Sequence, residues 1–181
     1  YILRSQGIND VGVQQIAGDL TDNYNSGNKM LSLSESTAQS TSVAAIGVAA
    51  HECGHAVQDA KNYIPLKMRA AIVPIANIGS TLSFPLIMLG VFMSWNQTLI
   101  NIGILAFSLA LIFQLVTLPV EFDASRRALN ILRDGNMLAE DELAAARKVL
   151  FAAALTYVAA ALATFLQLLR LILLFGNRSR D

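Results

Sequence analysis

The feature that most constrains this chain is residues 70–120, a run of 51 residues without a single Asp, Glu, Lys or Arg. Charged residues make up only 14% of the whole chain, against about a quarter in soluble domains, which argues against a soluble protein with long core helices. An apolar helix of about 20 residues crosses the hydrocarbon core of a bilayer. The run can supply two such helices, so the sequence predicts an integral membrane protein.

Short polar segments divide the apolar part of the chain into three predicted membrane helices: 71–93, 99–120 and 149–175. Residues 94–98 form the polar turn between the first two, and Trp95 in this turn is typical of a membrane–water interface. Pro74 and Pro85 lie inside the first helix, where they predict a kink, an early break or irregular backbone. The first two helices therefore form a predicted transmembrane hairpin.

The positions of Lys and Arg predict the orientation of this hairpin. Segments 1–69 and 121–148 both carry several of them, whereas the turn at 94–98 carries none. Because positively charged loops stay in the cytoplasm, both flanks of the hairpin are predicted to be cytoplasmic. If the third helix crosses fully, Arg178 and Arg180 would lie outside the cytoplasm, which conflicts weakly with this rule.

The first forty residues are polar and have the character of a soluble segment. Strong turn residues at 25–28 separate two stretches with alternating apolar residues, which predicts a β-hairpin of 16–24 with 29–34. Residues 40–42 (Ser-Thr-Ser) supply N-cap candidates for a helix over 43–60. This helix is too short and too rich in Ala and Gly for a membrane span, so it is predicted to be a buried core helix.

The buried helix carries the one motif with a clear chemistry, His51-Glu52-Cys53-Gly54-His55, which matches H-E-x-x-H. Residues four apart share a helix face, so both imidazoles can bind one zinc ion. Glu52 can take a proton from a water that the zinc has acidified, as the general base of peptide hydrolysis. A chance match is unlikely to use both of the only two histidines in the chain, as this one does.

The third metal ligand must be a carboxylate, Cys53 or a Tyr, because no other histidine is available. Cys53 points away from the histidine face and is interpreted as a packing residue. Glu121 is the predicted ligand, because a transmembrane hairpin returns its two ends to one membrane face. Its alternative role is an ordinary interfacial charge that ends the span.

Two neighbours of Glu121 are candidates for supporting the metal ligands. Ser125 lies four residues further on the same helical face and can hydrogen-bond a zinc ligand. Asp123 points elsewhere on a regular helix and can pair with Arg127 at i+4. A solvated or headgroup-facing surface is the simpler interpretation of Asp123, Arg126 and Arg127.

These residues resemble the YugP-like neutral zinc metallopeptidases, which are small membrane proteins of bacteria. The resemblance covers nearly the whole chain and is carried by four stretches: 20–24, 49–58, 65–69 and 118–125. It implies a location in the bacterial cell membrane. It also implies an additional transmembrane helix upstream of Tyr1.

The layout is more distantly similar to the HtpX-type and prenyl-protein membrane proteases. Those families combine H-E-x-x-H with a later E-x-x-x-D motif, whose Glu is the third zinc ligand. Glu121 takes the position of that Glu, and Ser125 stands where the Asp would be. The resemblance implies a gluzincin-like catalytic core. It leaves open which residue hydrogen-bonds the zinc ligands.

The sequence thus predicts, over 1–181, a single mainly α-helical membrane domain with a small β-hairpin beside the zinc helix. Its predicted function is a zinc endopeptidase that acts on peptide or protein substrates, with the site facing the cytoplasm. A non-catalytic zinc-dependent scaffold or sensor is the main alternative, although a structural site would fill four positions and would not need Glu52. A metal transporter is disfavoured because 71–120 has no ionisable group. The formal net charge of zero gives no reason to expect nucleic-acid binding.

Overall fold

The computed structural model describes residues 1–176 and is mainly helical, with one small sheet in the described part. The elements in chain order are α1 (Ile2–Ser5), β1 (Gly12–Ile16), β2 (Asn23–Asn25), β3 (Met30–Ser34), α2 (Glu35–Ala38), α3 (Val43–Ala60), α4 (Ile64–Phe92), α5 (Gln97–Asp134) and α6 (Glu140–Phe175). The mainly helical class with a small sheet is as predicted. Arg178 and Arg180, which bear on the side reached by the third span, lie outside the described residues.

The chain forms two compact units. The first consists of Tyr1–Lys67 and Pro119–Leu155, and it contains the sheet, α3 and every residue singled out as a candidate for chemistry. The second consists of Met68–Leu118 and the described residues from Thr156 onward, and it contains most of the three long apolar helices.

The sheet has the strand order β1-β3-β2 and only partly follows the prediction. Strands β2 and β3 form the expected antiparallel hairpin. The predicted first strand over 16–24 is largely wrong, because 17–22 is an irregular loop in which Gly18 and Leu20 have positive φ. Strand β1 was not predicted and pairs in parallel with β3. Parallel pairing has no turn signature in the sequence that would reveal it.

Helix α3 has the bounds that the sequence predicts. It begins after Ser42, whose Oγ accepts a hydrogen bond from the Ala45 backbone N–H at 3.2 Å. Its apolar residues belong to two buried clusters, one with the sheet and one with α5 and α6. Cys53 lies in the first cluster, as its interpretation as a packing residue requires. The cluster with the sheet consists of Leu3, Ile8, Leu31, Cys53, Ala56, Val57 and Ile131. The cluster with α5 and α6 consists of Ala50, Ala128, Leu132 and Leu150.

The three apolar helices are confirmed, since α4, α5 and α6 are each long and apolar enough to cross a membrane. They extend beyond the predicted spans. Helix α4 starts at Ile64 and continues through Pro74 and Pro85, which excludes an early break among the predicted alternatives of a kink, a break or irregular backbone. Proline is tolerated inside such helices because neighbouring groups satisfy the backbone atoms that it leaves unpaired. Helix α5 runs on to Asp134, so Glu121 lies within a helix and does not begin a new segment.

Helices α4 and α5 approach closely in the second unit. A Cβ at Gly103 would lie only 2.8 Å from the Ser83 carbonyl oxygen, and the Ser83 hydroxyl donates to the Gly103 carbonyl at 2.7 Å. Small residues permit this close packing in apolar helices. Large apolar side chains such as Phe84 and Phe92 are 64% and 83% exposed, as expected of surfaces that face lipid.

Candidate metal centre

Helices α3 and α5 bring His51, His55 and Glu121 together within the first unit. The two imidazoles lie one turn apart on α3, with ring centroids separated by 4.7 Å and planes nearly perpendicular. The Glu121 Oε2 atom lies 3.0 Å from His51 Nε2 and 3.6 Å from His55 Nε2. One ligand atom from each residue lies within 4.8 Å of the other two. The three residues that the sequence singled out as metal ligands are therefore neighbours.

The geometry of these three side chains fits zinc. A tetrahedral zinc ion with bonds of about 2.0–2.1 Å holds its ligand atoms about 3.3 Å apart. The observed separations of 3.0 Å and 3.6 Å between Glu121 Oε2 and the two Nε2 atoms lie on either side of that value. Two imidazole nitrogens and one carboxylate oxygen are also a donor set that zinc uses in catalytic sites.

Gly54 allows α3 and α5 to come this close. A Cβ at Gly54 would lie 3.2 Å from the Ala124 Cα. It would lie nearer still to the Ala124 carbonyl oxygen, at a distance that real Cβ atoms essentially never show. Ala124 lies on α5 between Glu121 and Ser125. Any larger side chain at Gly54 would therefore separate the helix that carries the histidines from the helix that carries Glu121.

Each imidazole nitrogen that faces away from Glu121 has its own partner. His51 Nδ1 lies 2.9 Å from the hydroxyl of Ser125, the residue that the sequence suggested for such a contact. His55 Nδ1 lies 3.0 Å from Gln58 Oε1. Sequence reasoning missed Gln58, although its i+3 spacing from His55 on the same helix was an available signal.

Asp123 touches neither histidine. It forms ion pairs with Arg126 and Arg127, the latter at 2.6 Å between Nε and Oδ2, and it accepts a hydrogen bond from Gln58 Nε2 at 3.0 Å. Its pairing with Arg127 follows the predicted i+4 spacing. The interpretation of Asp123 as a solvated residue is wrong, because it is only 6% exposed.

Glu52 is buried beside the two histidines without a hydrogen bond to any residue in 1–176. Burial raises the pKa of its carboxyl group above the ordinary value, although nearby His55 and His51 oppose this shift. For His55, burial lowers the pKa, but the nearby carboxylate of Glu121 outweighs this effect and raises the pKa. A buried carboxylate without a protein partner is costly, and it remains free to bind water.

Two histidines four residues apart on one helix, a carboxylate from a second helix and a buried glutamate beside the first histidine define a site of the zinc-metallopeptidase class. Residues 1–176 match the family described as "Putative neutral zinc metallopeptidase", and the chain belongs to this family. Zinc is therefore its cofactor.

The "Putative membrane protease YugP" of Bacillus subtilis (strain 168) is 44% identical to this chain over 176 residues. The alignment covers 97% of this chain and 78% of that protein. No solved structure matches the chain significantly.

Proposed function

We propose that this protein is a membrane-embedded zinc endopeptidase, in which His51, His55 and Glu121 hold the metal and Glu52 is the general base. The observation that carries the proposal is the convergence of three ligand atoms within 4.8 Å of one another. When bound, zinc would polarise the peptide carbonyl and acidify a water. The likeness to a membrane protease supports a peptide or protein as substrate.

The chain's own residues account for the remaining steps. Glu52 takes the proton of the attacking water and later delivers it to the leaving amine. Three protein ligands leave one position of a tetrahedral site open, as catalytic zinc sites require. A zinc-dependent scaffold or sensor, the alternative function, would gain nothing from the buried carboxylate of Glu52.

Replacement of Glu121 by glutamine tests the third ligand. The change preserves the size of the side chain and removes the negative charge, so we expect zinc affinity to fall by on the order of 100-fold or more, with peptide cleavage lost in parallel. Glu35→Gln is the matched control, because Glu35 is an exposed acid at the start of α2. Zinc content measured by mass spectrometry after dialysis checks this. Equal zinc content in both variants would contradict the assignment of Glu121.

We also propose that α4 and α5 cross the membrane as a hairpin, with the metal centre at the cytoplasmic face. Single cysteines introduced as Asn96→Cys and Ala139→Cys, both at exposed positions, should then react with an impermeant maleimide from opposite sides of the membrane. Native Cys53 should give little background, because burial raises the pKa of its thiol to about 12. Labelling of both positions from the same side would contradict the hairpin.

A further inference from the structure

Gln58 links the two helices of the metal centre from a fully buried position, with 0% exposure. Its Oε1 atom faces His55 Nδ1 at 3.0 Å. Its Nε2 atom donates to the Val120 carbonyl oxygen at 2.8 Å and to Asp123 Oδ2 at 3.0 Å. Both N–H groups and the carbonyl oxygen of this one amide are therefore engaged by α3 and α5.

The partners of Gln58 allow only one orientation of its amide. The Val120 carbonyl can only accept a hydrogen bond, and Asp123 accepts as a carboxylate because it forms ion pairs with Arg126 and Arg127. A flipped amide would place its oxygen against both of these acceptors. The NH₂ group must therefore face α5, and the carbonyl oxygen must face His55.

This orientation determines which nitrogen of His55 carries the proton. Since Gln58 Oε1 is an acceptor, His55 Nδ1 must be the donor, and in a neutral imidazole Nε2 then has a free lone pair. That lone pair lies on the side of Glu121. The hydroxyl of Ser125 beside His51 can donate or accept, so it imposes no such choice on His51.

We infer that Gln58 is a positioning residue, which holds His55 in the Nδ1–H form and so presents the Nε2 lone pair for metal binding before the metal arrives. Asp123, anchored by Arg126 and Arg127, keeps the amide of Gln58 in the required orientation. The inference rests on the proposed function only in treating Nε2 of His55 as a metal-binding atom. The tautomer itself is a property of the metal-free protein.

The two histidines allow a direct test by ¹⁵N NMR, because histidine-selective labelling reports only His51 and His55 once any affinity tag is removed. In metal-free protein, at a pH where both rings are neutral, we expect His55 to carry its proton on Nδ1. His51 serves as the internal comparison and is expected to carry its proton on Nε2, toward Glu121 at 3.0 Å. A wild-type spectrum with His55 protonated on Nε2 would overturn the inference, whichever variants fold.

The variant Gln58→Met separates positioning from packing. Gln58→Met keeps a long unbranched side chain and removes both the acceptor and the donors. We expect His55 to shift toward the Nε2–H form, drawn by Glu121, and zinc affinity to fall about 10–100-fold.

Ser83→Ala is the control for loss of a buried hydrogen bond, since Ser83 donates to the Gly103 carbonyl in the second unit. It should lower thermal stability without changing zinc affinity, measured by competition with a chromogenic chelator. If Gln58→Met behaved like Ser83→Ala, its role would be structural and the inference wrong. If wild-type protein showed the expected tautomers but bound no zinc, the proposed function would fail, and only the control of the His55 tautomer by Gln58 would stand.

Discussion

Replacement of Glu52 by glutamine is expected to abolish peptide-bond cleavage while leaving zinc on the protein. The two side chains have nearly the same shape, but the amide cannot accept a proton from water. The loss of a general base lowers the rate by about 10²–10⁴-fold. Zinc binding should survive, because Glu52 lies beside the proposed ligands and is not one of them. Cleavage of an unstructured casein-like chain, with zinc content measured on the same sample, checks both expectations.

His51→Ala provides the contrast to Glu52→Gln. It removes a proposed ligand, so zinc and activity should be lost together. A scaffold or sensor would respond differently, because Glu52→Gln would leave its function intact while His51→Ala destroyed it. Full cleavage by Glu52→Gln protein, in a preparation free of other proteases, would refute the mechanism.

Replacement of Gly54 by alanine is expected to remove zinc and activity, although it changes none of the proposed metal ligands. The added methyl group would collide with the backbone of Ala124, so α3 and α5 must separate at the level of Glu121. Overpacking of this kind costs about 1–3 kcal/mol, and backbone cannot yield as a flexible side chain can. Zinc affinity and the thermal unfolding temperature should both fall.

Gly47→Ala is the matched control for Gly54→Ala, because Gly47 lies two turns earlier on α3. Its added methyl group would meet the Ala146 Cβ at 3.7 Å, an ordinary contact. Alanine also favours a helix over glycine by about 0.5–1 kcal/mol, so this variant should be at least as stable as the wild type and keep its zinc. Equal zinc affinity in the two alanine variants would contradict the role of Gly54.

Local patterns were enough to predict the helical part of the fold. The uncharged run predicted two of the apolar helices, the apolar stretch 149–175 predicted the third, and Ser42 with the following Ala-rich stretch predicted α3. The sheet was predicted less well. The predicted strand over 16–24 does not continue through 17–22, because positive φ at Gly18 and Leu20 takes the chain out of the sheet. The parallel pairing of β1 depends on contacts distant in sequence, which no local pattern encodes.

In the candidate site, too, local patterns predict some residues, whereas others depend on contacts distant in sequence. The spacing of His51 and His55 and the return of the hairpin predict Glu121 as the third ligand, and these side chains do lie together. The i+3 spacing could have placed Gln58 beside His55, but its other partners, Val120 and Asp123, lie on another helix more than 60 residues away. A buried amide is informative only when its partners are known.

The metal centre joins two segments of the chain, since His51 and Glu121 are 70 residues apart. A bound ion would act as a cross-link that closes this loop, which in a soluble chain would remove on the order of 4 kcal/mol of chain entropy. In the proposed topology the transmembrane hairpin lies inside the loop, so the bilayer has already brought its ends to one face. The loop-closure part of the stabilisation by zinc is then small, and the bound metal would mainly restrain local opening between α3 and α5. We therefore expect the protein to keep its membrane hairpin when the metal is removed.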